Sequence, residues 1–185
     1  MPVVSTMKLT ARQFLALEDP PGARLELVNG RIAVSPSTRP EHSWVDRKLT
    51  YILMGHIVKH DLGGLIGDVD TVFGKHDVRR PDLIYYTKDR LPLVKRGDAL
   101  RFAPDLCVEI ISPTSRKIDR RDKFTQYAKA AIPFYWIVDP FKLTIDGYRL
   151  AGNEYALVGS ARDSELIRLP PFDDLELPLA ELWMP

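Results

Sequence analysis

The chain has 185 residues and a mass of 21.0 kDa, 45% of them hydrophobic and 28% charged, with 26 basic against 25 acidic side chains and a formal net charge of +1. That balance belongs to one globular domain with its own core rather than to a disordered chain; near-neutrality excludes a general polyanion binder, which carries a large basic excess, and a single cysteine, Cys107, excludes an intrachain disulfide. No apolar run approaches the roughly 18 residues of a membrane span, and Met1 to Thr6 lacks the basic head and apolar stretch of a secretory signal, so a cytoplasmic protein without a membrane partner is expected.

Thr10 to Leu17 reads as a short helix capped by Thr10. Arg24 to Val34 reads as a hairpin turning at Asn29-Gly30, the pair favoured in a two-residue turn. Glu41 to His60 is the clearest helix, because His42, Val45, Leu49, Ile52, Leu53 and His56 fall within one arc, and Gly63-Gly64 is expected to close it. Strands are expected over Leu65 to Phe73, Arg80 to Thr87 and Leu106 to Ser112, the last two separated by a long basic loop. Ser112-Pro113-Thr114-Ser115 opens a helix over Arg116 to Ala131, which Pro133 stops. Phe134 to Val138 is a fourth strand, with shorter ones at Leu143 to Tyr148 and Tyr155 to Val158. The order predicts an α/β (α+β) fold with one central sheet flanked by helices. A single domain is expected over 1–185: an N-terminal helix and hairpin in 1–36, a core in 40–150, and C-terminal strands with an acidic tail in 151–185.

Glu109 is the most informative residue. It sits inside the apolar run Leu106-Cys107-Val108-Glu109-Ile110-Ile111, where a carboxylate is costly unless paired or bound to a cation. Strand parity puts Asp105, Cys107, Glu109 and Ile111 on one face and Leu106, Val108 and Ile110 on the other. If the strands of Asp82 and Glu109 are neighbours, the two acids meet on one face, and a hard divalent cation relieves their repulsion. Two residues on from Glu109, on the same face, stands the apolar Ile111. Lys123, at the edge of the apolar face of the following helix and one turn before Tyr127, can reach back to the carboxylates; Lys117 is the competitor.

Pro81-Asp82 and Glu109 resemble two of the three elements of the PD-(D/E)xK nuclease superfamily. The run from Pro104 to Ser115, then Asp119, Lys123 and Tyr127, then Tyr135-Trp136-Ile137-Val138-Asp139-Pro140, resembles the Uma-type restriction endonuclease family more closely. Glu26 in Leu25-Glu26-Leu27-Val28-Asn29-Gly30, His42 and Arg80-Pro81-Asp82 fit the same pattern; Ala131 departs from it, standing where the family usually has glycine. The resemblance implies a restriction-endonuclease-like core with a central mixed sheet and a site made of Asp82, Glu109 and Lys123.

On this reading Asp82, Glu109 and the main-chain carbonyl of Ile110 hold Mg²⁺ (or Mn²⁺), with Glu26, His42 and Tyr127 accessory. Lys95 and Arg96 in the basic loop, and Arg116, Lys117 and Arg120 at the helix start, are expected to hold phosphates of DNA, with RNA as the other candidate. Cleavage of both strands would suit a homodimer. The rival is a catalytically inactive module of the same fold that binds nucleic acid or a protein partner, with Glu109 paired to Lys123 for structure alone. Asp105 reads as a strand-start residue and Cys107 as a small buried one. His56, His60 and His76 show no zinc-ligand spacing with Cys or Asp, and Trp44, Trp136 and Trp183 read as core or interface residues.

Overall fold

The computed structural model describes residues 8–36, 38–94, 97–112 and 118–185. Helix α1 (Ala11–Phe14) starts at Thr10, whose hydroxyl accepts from the Gln13 N–H while the Gln13 side chain accepts from the Thr10 N–H at 2.9 Å. This reciprocal cap satisfies orphan donors at the start of a very short helix. Strands β1 (Ala23–Val28) and β2 (Arg31–Pro36) form the expected hairpin, with Asn29 at φ 51° and Gly30 at φ 80°. Both turn residues are left-handed, as a turn matching the strand twist requires.

Helix α2 (Pro40–His60) buries His42, Val45, Leu49, Leu53 and Ile57. It ends at Asp61, at φ 53°, whose N–H returns to the Ile57 and Val58 carbonyls. The glycines expected to close it lie instead in β3 (Gly63–Ile66). Their smallness serves close approach: a Cβ on Gly63 would stand 2.1 Å from the Tyr86 carbonyl oxygen.

One expected strand divides and another is shorter than expected. The segment 65–73 becomes the end of β3 and β4 (Thr71–Gly74), broken by a turn where Asp68 has φ 57°. The segment 80–87 becomes β6 (Leu83–Thr87), preceded by β5 (Asp77–Arg79), which pairs with β1 and β4. Pro81 stands between β5 and β6 and has no N–H to continue a ladder.

Strands β7 (Leu106–Ile110) and β8 (Phe134–Asp139) are parallel, and the crossover between them carries a π-helical turn (Ile118–Lys123) running into α3 (Phe124–Lys129). Strands β9 (Thr144–Ala151) and β10 (Glu154–Arg162) follow, then β11 (Leu166–Leu169) and β12 (Phe172–Pro178). The expected central mixed sheet is six-stranded, ordered β10-β9-β8-β7-β6-β3, and the described residues also form a four-stranded sheet β2-β1-β5-β4 and the β11-β12 hairpin. The two faces of the central sheet follow the expected parity. Leu106, Val108 and Ile110 pack with α2 and the β11-β12 hairpin, whereas Cys107 and Ile111 pack with Tyr127 and Ala128 of α3.

The helix expected over 116–131 is shorter and differently wound within the described residues. Its exit turns on Ala131, at φ 56°, where an L side chain is strained and the family's usual glycine is not. Ala131→Gly is therefore expected to stabilise the protein by about 1 kcal/mol, seen as a higher urea midpoint with unchanged slope.

Candidate active site

Glu109 lies near the end of β7, with 2% of its surface exposed. A charge in that position must be met by another. The Lys123 ammonium donates to Oε2 at 2.6 Å and the Tyr127 hydroxyl donates to Oε1 at 2.6 Å. Lys123 closes the π-helical turn and Tyr127 follows one turn later in α3, so a single helix face supplies both donors. Burial, reinforced by the Glu109 carboxylate, pushes the Tyr127 hydroxyl well above its ordinary pKa and keeps it a neutral donor. Burial also pushes the Cys107 thiol up, leaving it inert.

Glu26 on β1 is the second buried acid of this face. Arg79 Nη1 donates to it at 3.0 Å and the Arg80 N–H at 3.2 Å, while Arg79 Nε reaches Gln126 Oε1 on α3 at 2.7 Å. Burial alone would raise the Glu26 pKa, but the charges of Lys123 and Arg79 outweigh it and hold the carboxyl below its usual range. Lys123 therefore stabilises ionised acids on β1 and on β7 together. Arg79, only 2% exposed, binds the N-terminal hairpin to α3; nothing in its local sequence marks it out.

Asp82 stands just before β6, and the register Leu83↔Val108 places it opposite Glu109. Its Oδ2 accepts from the Ile110 N–H at 2.7 Å, and its Oδ1 lies 3.1 Å from His42 Nε2 on α2. An extended residue turns its N–H and C=O to the same neighbouring strand, so the Ile110 carbonyl also faces the Asp82 side. The expected meeting of the two carboxylates on one face is modified. Asp82 lies beyond the end of its strand and faces His42 on α2, whereas Glu109 faces α3. Ile111 is fully buried in the apolar layer beneath α3, which leaves the lysine role to the helix.

A cleft of about 210 Å³ opens beside Asp82, lined among others by Arg24, His42, Asp46, Arg47 and Asp68. Asp46 and Asp68 are additions to the sequence reading. Asp46 follows His42 by one turn of α2, a spacing visible in the sequence; Asp68 lies in a turn and gives no such signal. Burial raises the Asp46 pKa; Arg47 opposes that, and Asp82 adds to it. The folded-state pKa of Asp46 thus exceeds the unfolded value of 3.8, so stability is lost as pH rises through that interval. In metal-free buffer Asp46→Asn is expected to raise stability at neutral pH by about 1 kcal/mol or less after solvent screening, seen as a higher Tm, and to change it little below about pH 3.5. An acid that destabilises its own fold marks a place kept for something other than stability.

Four basic residues of the loop region and the helix start are engaged by acids. Lys88 pairs with Asp61 and Arg90 with Asp105, while Arg101 lies 2.7 Å from Asp98 and Arg120 2.8 Å from Asp146. Asp105 also accepts from the Thr87 N–H at 2.9 Å, a structural anchor as expected of a strand start. Lys95, Arg96, Arg116 and Lys117 lie outside the described residues.

The fold can now be set beside known proteins. A model of the Uma2 family, described as "Putative restriction endonuclease", matches residues 11–180. The chain belongs to the Uma2 family. A crystal structure from Anabaena variabilis, described as a putative nuclease belonging to DUF820, superposes with a TM-score of 0.78 at 21% identity, covering 95% of this chain and 97% of that one. At that identity the likeness fixes the fold, a mixed α+β nuclease fold with a central mixed sheet. No curated protein matches the chain. Among the described residues of this Uma2 protein, no helix is long and apolar enough to cross a membrane.

Proposed function

We propose that this Uma2 protein is a metal-dependent endonuclease that hydrolyses DNA phosphodiester bonds at a site formed by Asp82, Glu109 and Lys123. One observation supports the reading above the others: a buried glutamate gripped by a helix lysine, one residue from the N–H that holds Asp82. The donor set suits Mg²⁺ or Mn²⁺, since Asp82, Glu109 and the Ile110 carbonyl offer only hard oxygens. A carboxylate has about four lone-pair sites, and the hydrogen bonds from Lys123 and Tyr127 occupy two on Glu109. When bound, such a metal polarises the scissile phosphate and lowers the pKa of a bound water.

The chain's own residues supply the rest. Lys123, paired with the buried Glu109, orients the attacking water or offsets negative charge growing on the phosphate oxygens. Tyr127 fixes the plane of the Glu109 carboxylate, and His42 fixes that of Asp82. Glu26 and Arg79 hold α3 at the height that brings Lys123 to Glu109. A homodimer would place two such sites for the two strands of a duplex.

The test is cleavage of plasmid, linear duplex, single-stranded DNA and RNA by the purified protein with Mg²⁺ or Mn²⁺. DNA cleavage that EDTA abolishes is expected. Cleavage that survives EDTA, or no cleavage of any substrate, contradicts the proposal. RNA cleavage alone would move the substrate class. A second reading, an inactive module that binds nucleic acid or protein, draws on the ion pairing of Lys88, Arg90, Arg101 and Arg120. Equal DNA affinity of the wild type and Glu109→Gln, with no cleavage by either, would favour it.

A further inference from the structure

Away from the carboxylate site, α2 ends in His56 and His60, four residues apart and therefore on one side of the helix. The two rings lie tilted at 42° with centroids 4.5 Å apart. The fold brings a third donor to them from far along the chain: Asp174 on β12, whose Oδ1 lies 3.1 Å from His56 Nε2. One ligand atom from each of the three residues lies within 4.8 Å of the others. The His56 side chain is only 8% exposed, and its ring stands edge-on to Phe172, which fixes its direction. His60 and Asp174 are exposed and free to rotate the short remaining distance.

We propose that His56, His60 and Asp174 form a second, independent metal site that takes Zn²⁺. Two imidazoles and a carboxylate are ligands of borderline-soft cations, and three protein ligands leave one tetrahedral position for water. Mg²⁺, which demands oxygens, is a poor occupant. The histidine spacing alone gave no zinc signature, because Asp174 comes from a hairpin remote in sequence. With a rise of about 1.5 Å per residue, His56 lies roughly 20 Å along α2 from His42, so the site is separate from the nuclease centre. Its consequence is mechanical: an ion held there links the β11-β12 hairpin to the end of α2 and adds binding free energy to the native state.

The experiment is a Zn²⁺ titration by calorimetry on the metal-stripped full chain, with excess Mg²⁺ present to occupy oxygen sites. The wild type is expected to bind Zn²⁺ at this site and to gain Tm with it. His60→Ala and Asp174→Asn, both at exposed positions, should each weaken that binding by at least about tenfold and remove the Tm gain. Asp82→Asn should leave both intact. Absence of Zn²⁺ binding by the wild type, binding that His60→Ala and Asp174→Asn leave unchanged, or loss of binding in Asp82→Asn would each overturn the assignment.

Discussion

Lys123→Met is expected to cost about 3–5 kcal/mol of stability and to abolish cleavage. Its ammonium is 2.6 Å from a carboxylate that is itself 2% exposed, so removal strands an ion where water cannot reach it. It also removes the leading favourable charge acting on Glu26. For a chain of this size the loss corresponds to a fall in Tm of roughly 6–20 °C. The companion variant separates structure from chemistry. In Glu109→Gln with Lys123→Met both charges are gone, and the glutamine carbonyl still accepts from Tyr127. Most of the stability should return, giving a large coupling energy in a double-mutant cycle, while cleavage stays absent. If the double variant is as unstable as the single, the ion pair is not what Lys123 contributes. If Lys123→Met cleaves DNA at the wild-type rate, the lysine has no part in catalysis.

The second large effect runs the other way. Asp82→Asn should lower the cleavage rate by about 10³-fold or more, the scale of a lost metal ligand, yet leave stability nearly unchanged. The asparagine oxygen can still accept the Ile110 N–H that Asp82 Oδ2 now holds at 2.7 Å, and the position is partly open to the cleft. Urea unfolding and initial rates on the same preparations check both halves. A variant that unfolds early, or that cleaves normally, would place Asp82 among structural residues. The contrast with Lys123 is diagnostic, because losing Lys123 strands a buried charge whereas Asp82, only partly buried, keeps its Ile110 contact as asparagine.

The parts of the fold legible in the sequence were those decided locally. Thr10 capped its helix, Asn29-Gly30 made its turn, and the period-two pattern of β7 sorted its residues between two packed faces. The central grip was legible for the same reason. A charge inside an apolar strand demanded a partner, and Lys123 and Tyr127 were one turn apart on the next helix. Other features depended on partners distant in the chain. That a separate strand, β5, would precede 80–87 was decided by its pairing with β1 and β4. The π-helical winding of 118–123 left no mark in hydrophobic spacing, and Asp61 ended α2 although two glycines waited just beyond. The ion pairs of Lys88, Arg90 and Arg101 with Asp61, Asp105 and Asp98 were not legible, because they depend on the folded positions of the acids. Asp46 could have been found from its spacing to His42; Arg79 and Asp174 could not.

The most direct test of the proposed metal site is a Mg²⁺ titration by calorimetry on the wild type, Asp82→Asn and Glu109→Gln. Mg²⁺ avoids imidazole, so the heat reports the oxygen site rather than the histidines at the end of α2. Binding by the wild type that both substitutions abolish is the expected result. Binding that survives in both variants, or none in the wild type, would contradict the account and leave Glu109 and Lys123 as a structural ion pair.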